Sequence, residues 1–176
     1  MSDVLVVAKT IAANDFPVER PSVIGVERER GRLVRLTPFP WKANDTDPPV
    51  ARWSWLELRT VPDARDPRPE TLGVDGAVSA VGYVEAKEGW RLRWPFVRPH
   101  LHGSFTSLQE LARQRSVTAG FVRAAEGDVI QLPLRYRFRC ASDDCPDVHE
   151  LPILDQELQE MLRLSRERSD RARTGA

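Results

Sequence analysis

The chain is poor in the residues that form disulfides or bind metals, with two cysteines and three histidines among 176 residues. Two cysteines without an export signal favour a cytoplasmic location and no structural disulfide. The apolar run at residues 4–8 is short and follows an aspartate, whereas a secretory signal has a basic start and a longer apolar core. No stretch approaches the roughly 20 apolar residues of a membrane span, so we expect no membrane association.

Lysine is also scarce, since three lysines accompany 23 arginines, and the formal net charge is zero. The chain as a whole is therefore not a polycation suited to nucleic acid. Its charge is nevertheless segregated: residues 88–140 hold nine arginines and four acids, and residues 141–162 hold seven acids and no basic residue. The two segments either attract each other within the fold or each face a partner of their own.

Neither a glycine-rich phosphate loop nor a G-x-S-x-G elbow occurs, and the periodicity predicts strands over most of the chain. Strands are predicted at residues 4–8, 52–61, 90–97, 117–123 and 129–140. A hairpin is predicted at residues 22–37 with its turn at 29–32. Residues 74–85 fit a helix or a strand, and residues 14–21, 44–49 and 62–70 have loop composition.

Two helices carry terminal signals. Ser104 or Thr106 is a candidate N-cap for the first helix, with Gln109 or Glu110 near its third position. The second begins near Asp155 and has an apolar stripe. We expect a single α+β domain at 1–166, with a small, mostly antiparallel sheet or partly open barrel, two or three helices and a C-terminal amphipathic helix. Residues 167–176 are predicted to be a flexible charged tail.

Three residues that can bind a metal fall within ten positions in the pattern Cys140-x4-Cys145-x3-His149. Thiolate and imidazole are favoured zinc ligands, and zinc usually takes four, so the pattern predicts a zinc site with one ligand unassigned. Alternatively, Cys140 packs in the core and the other two are loop residues. The zinc deaminase pattern fails, because the cysteines precede the histidine. Candidates for the fourth ligand are His100, His102, Asp147 and Asp155.

Aromatic and basic residues alternate in the segment 90–102. Arginine pairs with phosphate and tryptophan stacks on unpaired bases, so the segment could contact nucleic acid or a protein partner. Alternatively, it is an amphipathic strand whose arginines are solvated or paired with acids. Separately, the two histidines of the segment, His100 and His102, could bind a metal as a pair. The candidate contact residues here and on the strand at 129–140 are Trp90, Arg91, Arg93, Trp94, Arg98, Arg135, Arg137 and Arg139.

The proline-rich segment 62–70 carries Asp66, Arg68 and Glu70. Its carboxylates beside an arginine could bind Mg²⁺ or take part in acid–base chemistry. The alternative is a charged surface loop stiffened by three prolines, a property that also suits a recognition loop.

Five stretches carry a family resemblance: VVAKT (6–10), RLVRLTPFP (32–40), WSWLE (53–57), DPRPE (66–70) and FRC…C…HE…LD (138–155). In order and over most of the chain, they resemble a family of uncharacterised small prokaryotic proteins with a C-terminal Cys-x4-Cys-x3-His segment. The family has a Trp where this chain has Gln156 and a Gly where it has Val148. The resemblance implies a whole-chain domain without a settled activity. It also suggests a shared surface at Lys9, Asp66, Arg68, Glu70 and the cluster.

Three functions follow as hypotheses. The first is a non-enzymatic, zinc-stapled module that binds nucleic acid or a protein partner through an arginine- and tryptophan-rich face. The second is a metal-dependent hydrolase or nuclease acting on nucleic acid or nucleotides, centred on the cluster or on the segment 62–70. The third is an accessory subunit of a larger assembly, for example in phage defence.

Overall fold

A computed structural model describes residues 1–10, 21–39, 50–63, 65–114, 116–117, 119–131 and 134–174. The predicted loop at 44–49, most of the one at 14–21, Leu132 of a predicted strand and the last two residues of the predicted tail lie outside these ranges.

The first half of the chain forms a closed five-stranded barrel in the order β1-β2-β3-β5-β4. Its strands are β1 (Ser2–Thr10), β2 (Ser22–Glu27), β3 (Leu33–Leu36), β4 (Ser54–Pro62) and β5 (Thr71–Tyr83). Strand β1 pairs antiparallel with both β2 and β4, and β3 pairs in parallel with β5. Closure leaves the barrel without a free sheet edge. The predicted α+β class with a barrel-like sheet is confirmed, and residues 74–85 largely belong to a strand.

Strand β1 is buried on both faces, which explains its unbroken apolar run. Val4 and Val6 point into the barrel core. Leu5 and Val7 point outward and pack under a second layer that includes Val97. The barrel core is completed by Val23, Val34, Leu36, Phe39, Val50, Leu56 and Leu58.

The second layer contains α1 (Trp94–Val97), a 3₁₀ turn (Arg98–His100), β6 (Leu101–His102), α2 (Phe105–Arg113) and β7 (Phe121–Val122). The predicted strand at 90–97 is wrong. Glu88, Gly89 and Trp90 all have positive φ and form turns, and Pro95 sits in the first turn of α1, where its missing N–H costs nothing. Of the strand predicted at 117–123, the two residues of β7 are extended, and they pair in parallel with β6.

A separate three-stranded antiparallel sheet has the order β10-β9-β8. It comprises β8 (Ala124–Gln131), β9 (Leu134–Cys140) and β10 (Val148–Pro152). The single strand predicted at 129–140 is therefore wrong, because it spans parts of two strands. Its predicted alternation holds within β9, where Phe138 is buried while Arg137 and Arg139 are exposed.

The terminal helix α3 (Gln156–Thr174) begins directly after Asp155, whose carboxylate accepts the N–H of Leu158 at 2.8 Å. This agrees with the predicted start. The helix continues to Thr174, whereas the prediction ended the regular structure at residue 166. The division into a domain at 1–166 and a tail stays a prediction. No described helix is both long and apolar enough to span a membrane.

Candidate metal centre

Two strands and the turn between them bring the three predicted ligands together. Cys140 ends β9, His149 lies in β10, and Cys145 lies in the connecting turn. Their ligand atoms all lie within 4.8 Å of one another. Both cysteines are buried and neither is in a disulfide. The predicted cluster therefore exists as a compact set of two sulfurs and one ring nitrogen that could hold a metal ion.

The N-terminus of α2 faces this cluster. Ser104 is the N-cap, as predicted, and exchanges hydrogen bonds with Ser107, so the third helical position is Ser107 and not Gln109 or Glu110. Phe105, the residue after Ser104, donates its backbone N–H to Cys140 Sγ at 3.2 Å. Donation from a helix N-terminus favours the thiolate, the form in which cysteine binds metals.

The two thiols have different electrostatic surroundings. Hydrogen bonds first from Thr106 and then from His149 lower the pKa of Cys145 to about 6. Thr106 Oγ1 lies 3.1 Å and His149 Nε2 3.0 Å from the sulfur of Cys145. Burial raises the pKa of Cys140. Cys145 therefore deprotonates more readily. Cys140 would lose its proton chiefly because binding a cation stabilises its thiolate.

Aromatic rings surround the imidazole of the cluster. The ring of His149 lies 4.9 Å from that of Phe105 and 5.3 Å from that of Phe138, between ring centroids. Both cysteines belong to the same apolar cluster as Phe138. A soft donor set within an apolar shell is typical of a closed site that limits water access.

None of the candidates for a fourth ligand joins the cluster. His100 and His102 line another cavity. Asp155 caps α3, and Asp147 is exposed in the turn. Within the described ranges, the metal-ligand group therefore stops at three members.

The predicted arginine- and tryptophan-rich face divides into three environments. The first environment is the interior of the protein. Arg93 is buried there and donates to the carbonyl of Val84 at 3.0 Å and to Tyr83 Oη at 2.8 Å. Its guanidinium carbon lies 4.7 Å from the centroid of the Trp53 ring. The Arg93 side chain is therefore engaged in packing within the protein. Arg91, which is exposed, pairs with Glu88.

The second environment is an exposed surface, which we call the Trp94 face and define by Trp90, Trp94, Arg98 and Arg123. The two tryptophans are 48% and 37% exposed. Arg98 lies one helical turn after Trp94, and the guanidinium carbon of Arg123 lies 5.9 Å from the Trp94 ring centroid. Neither arginine pairs with an acidic residue in the described part of the chain. The sequence patterns did not single out Arg123, which lies alone between two strands.

The third environment is the arginine ladder of β9. Arg135 and Arg137 both contact Glu150 on β10, at 3.1 and 3.5 Å, and Arg139 contacts Glu126 on β8 at 3.1 Å. Each arginine of the ladder therefore has a cross-strand acidic partner, although three guanidinium groups share two carboxylates.

The described residues between β4 and β5 form a loop in which the carboxylate of Asp66 is already paired. Arg68 holds both oxygens of Asp66 at 2.9 and 3.0 Å and, through that hydrogen bonding above all, lowers the pKa of Asp66. Glu70 lines the same cavity as His100. These contacts favour the interpretation as a stiff surface loop over acid–base chemistry at Asp66.

Comparison with known proteins identifies one family model, described as a Domain of unknown function (DUF8758), which matches residues 1–99. The match covers the barrel and α1 and stops before the cluster. No curated protein and no solved structure matches the chain.

Proposed function

The chain belongs to the DUF8758 family, whose description names no activity, and we propose that it is a non-enzymatic, zinc-stapled module that binds single-stranded nucleic acid. One observation carries the proposal. Trp94 is exposed, Arg98 follows it by one helical turn, the guanidinium carbon of Arg123 lies 5.9 Å from its ring centroid, and neither arginine has an acidic partner among the described residues. Aromatic rings that stack on bases beside cations that meet phosphates are the recurring elements of single-strand recognition.

Zinc is the metal that best suits the cluster, because two thiolates and an imidazole are borderline-soft ligands of the kind that zinc prefers. Cys140, Cys145 and His149 would hold the ion. The ion would join β9 to β10 and to the turn between them, which strengthens a small sheet with a limited core of its own. The start of α2 would be held to the same site through the hydrogen bonds of Phe105 and Thr106 to the two sulfurs.

The staple also supports the Trp94 face. The backbone N–H of Ala141, next to Cys140, donates to the carbonyl of Arg123 at 2.8 Å. Fixing Cys140 therefore helps to fix Arg123 beside Trp94. We leave the ladder on β9 out of the proposed contact, because each of its arginines already pairs with Glu150 or Glu126.

A metal-dependent hydrolase or nuclease is the second candidate, since three protein ligands are the number that catalytic zinc sites use. The surroundings disfavour it. No described Asp or Glu belongs to the cluster, and Glu150 pairs with the arginine ladder. No observation favours the accessory-subunit hypothesis, or a protein partner over nucleic acid.

Metal analysis of the purified protein tests the staple. We expect about one zinc per chain, in line with one tetrahedral structural site. Cys145→Ser should lose it, whereas Ser142→Ala, in the same turn, should keep it. Wild-type protein that contains no metal after purification with added zinc would remove the staple from the proposal.

Fluorescence anisotropy with single- and double-stranded oligonucleotides at several salt concentrations tests the binding. Trp94→Ala should weaken single-strand binding by roughly 5- to 150-fold, which corresponds to about 1–3 kcal/mol for one stacked base. Arg98→Ala should lower the slope of log affinity against log salt by about 0.7, one phosphate contact. Arg137→Ala is the matched control and should change neither. Equal effects of Arg98→Ala and Arg137→Ala, or affinity independent of salt, would contradict the proposal.

The same oligonucleotides distinguish the enzyme hypothesis. Incubation with Zn²⁺, Mn²⁺ or Mg²⁺ should leave them intact. Cleavage that Cys145→Ser abolishes would instead support the nuclease.

A further inference from the structure

A cavity of about 350 Å³ lies where the barrel, the second layer and the start of α3 meet. Val7 and Trp53 line it from the barrel, Val97 and Phe121 from the second layer, and Glu157 from α3. The volume lies in the range of small-molecule sites, and junctions between structural units are a common place for them. Most of the lining is aliphatic or aromatic, so its few charged groups decide which ligand could bind.

Arg93 lines this cavity and is a buried cation without an acidic partner in the described part of the chain. Its Nε and Nη2 atoms donate to Val84 and Tyr83. Nη1 has no acceptor among the described residues, yet it is not one of the fully buried atoms that lack a partner, so it keeps accessible surface. The rings of Trp53, Tyr83 and Trp90 surround the guanidinium and stabilise its charge, but their faces are weak substitutes for a hydrogen-bond acceptor. Because buried charges are normally paired, this guanidinium indicates an anionic ligand.

The charges of the lining set the charge of that anion. The charged lining residues are Arg52, Arg93 and Glu157. The carboxylate of Glu157 pairs with Arg52 at 2.9 Å and with Lys9, and not with Arg93. One guanidinium therefore stays without a counter-charge, which matches a monoanion better than a phosphate dianion. The planar fork of arginine suits a carboxylate in particular.

Two tryptophans of the lining have strained backbones. The angle φ is 69° at Trp53 and 74° at Trp90, in the left-handed region that bulky side chains rarely adopt. Hydrogen bonds hold the backbone of Trp53 in place, because its N–H donates to the carbonyl of Val6 at 2.6 Å and its carbonyl accepts the N–H of Val84 at 2.8 Å. The two indole rings meet edge to face, with centroids 5.3 Å apart. Strain of this kind is concentrated at binding sites, and here it accompanies the placement of two indoles around Arg93.

We infer that this cavity binds a small aromatic carboxylate, whose charge meets the guanidinium of Arg93 and whose ring packs against the aromatic lining. Trp90 offers the ring most of that contact, since it is about half exposed whereas Trp53 is buried. Contacts between aromatic rings stabilise a complex beyond the area that they bury, which favours an aromatic body over an aliphatic one of equal size. The site shares Trp90 with the Trp94 face, but the inference does not rest on the proposed function, because Arg93 and the cavity are not part of that face.

Titration calorimetry with 2-naphthoate, 2-naphthamide, acetate and 2-naphthyl phosphate tests the inference on the full chain. The amide has the rings of 2-naphthoate without its charge, and acetate has the charge without the rings. 2-Naphthoate should bind, and the amide and acetate should each bind at least about tenfold more weakly, the factor expected for one lost charge-assisted hydrogen bond. No binding of 2-naphthoate, equal binding of the amide, or tighter binding of the phosphate than of 2-naphthoate would overturn the inference.

Two substitutions locate the site. Arg93→Met removes the guanidinium, keeps an apolar side chain and should weaken 2-naphthoate binding at least about tenfold. Trp90→Gly removes an aromatic wall at a φ that glycine adopts freely, and should weaken binding by roughly 2- to 10-fold. The matched control is Arg91→Met, which should change nothing, because Arg91 is exposed and pairs with Glu88. Wild-type affinity in a folded form of either variant, checked by its thermal melt, or equal weakening by Arg91→Met and Arg93→Met, would place the ligand elsewhere and overturn the assignment.

Discussion

The ammonium group of Lys9 joins the barrel to the terminal helix, and replacing this lysine with methionine should destabilise the protein markedly. The side chain is 11% exposed, donates to the carbonyl of Val50 at 2.8 Å and pairs with Glu157 on α3. Arg52 contacts the same carboxylate at 2.9 Å. Methionine keeps most of the apolar length of the lysine and removes its charge.

The magnitude follows from the burial of the pair. Exposed ion pairs contribute under about 1 kcal/mol, and breaking a buried pair costs about 3–5 kcal/mol. Glu157 is 32% exposed and keeps Arg52, so we expect about 1–2 kcal/mol from the lost pair. The carbonyl of the buried Val50 loses its donor, which adds about 1 kcal/mol. The total of about 2–3 kcal/mol corresponds to a fall in Tm of roughly 4–12 °C for a chain of this length.

Urea unfolding followed by tryptophan fluorescence measures this difference. The control is Lys87→Met, because Lys87 is 74% exposed and pairs with the exposed Glu85. It should change stability by less than about 0.5 kcal/mol. Burial alone would raise the pKa of Glu157, but hydrogen bonds from Lys9 and Arg52 outweigh it and lower that pKa. The ion-pair part of the Lys9 contribution should therefore be complete above pH 4.5 and disappear as the pH falls through the lowered pKa of Glu157, whereas the part from the Val50 carbonyl should remain. Equal losses for the two lysine variants would refute the reasoning.

Three further substitutions test other contacts. Gly25→Ala places a Cβ 2.3 Å from a β1 side-chain carbon and should cost about 1–3 kcal/mol in urea unfolding, whereas Gly103→Ala, which meets no atom within 4 Å, should cost far less. Ser104→Ala removes the N-cap of α2 and should cost about 1 kcal/mol and weaken zinc retention in a chelator competition. Arg68→Gln should destabilise the protein above pH 3.8, and the loss should shrink as the pH falls through the lowered pKa of Asp66, when unfolding is followed from pH 7 over a series of acidic pH values.

Sequence patterns predicted those elements whose signals are local. The apolar run of β1, the hairpin of β2 and β3 and the caps of α2 and α3 each depend on a few adjacent residues. Barrel closure depends on pairings between distant strands, such as β3 with β5, and no short window contains that information. The alternation at 90–97 imitates a strand, and three consecutive positive φ angles from Glu88 to Trp90 override it.

The candidate site shows the same division. The ligands Cys140, Cys145 and His149 lie within one short segment, so their types and spacing sufficed to find them. Phe105 and Thr106, whose donors act on the two sulfurs, come from a helix more than 30 positions earlier. Charge patterns also cannot distinguish a buried arginine that packs on aromatic rings, such as Arg93, from an exposed one.

The segregated charge of the sequence has a structural outcome that bears on function. The acidic segment partly neutralises the basic one within the fold, since Glu150 on β10 contacts two arginines of β9. Arg98, one helical turn after Trp94, and Arg123, whose guanidinium carbon lies 5.9 Å from the Trp94 ring centroid, are among the exposed arginines without an acidic partner within the described ranges. One of these arginines lies inside the stretch that the family model matches, and the other lies beyond it, beside Cys140. The proposed binding face therefore combines residues of the second layer with Arg123, which precedes the cluster-bearing sheet, and the hydrogen bond from Ala141 to Arg123 would give the staple a role in recognition as well as in stability.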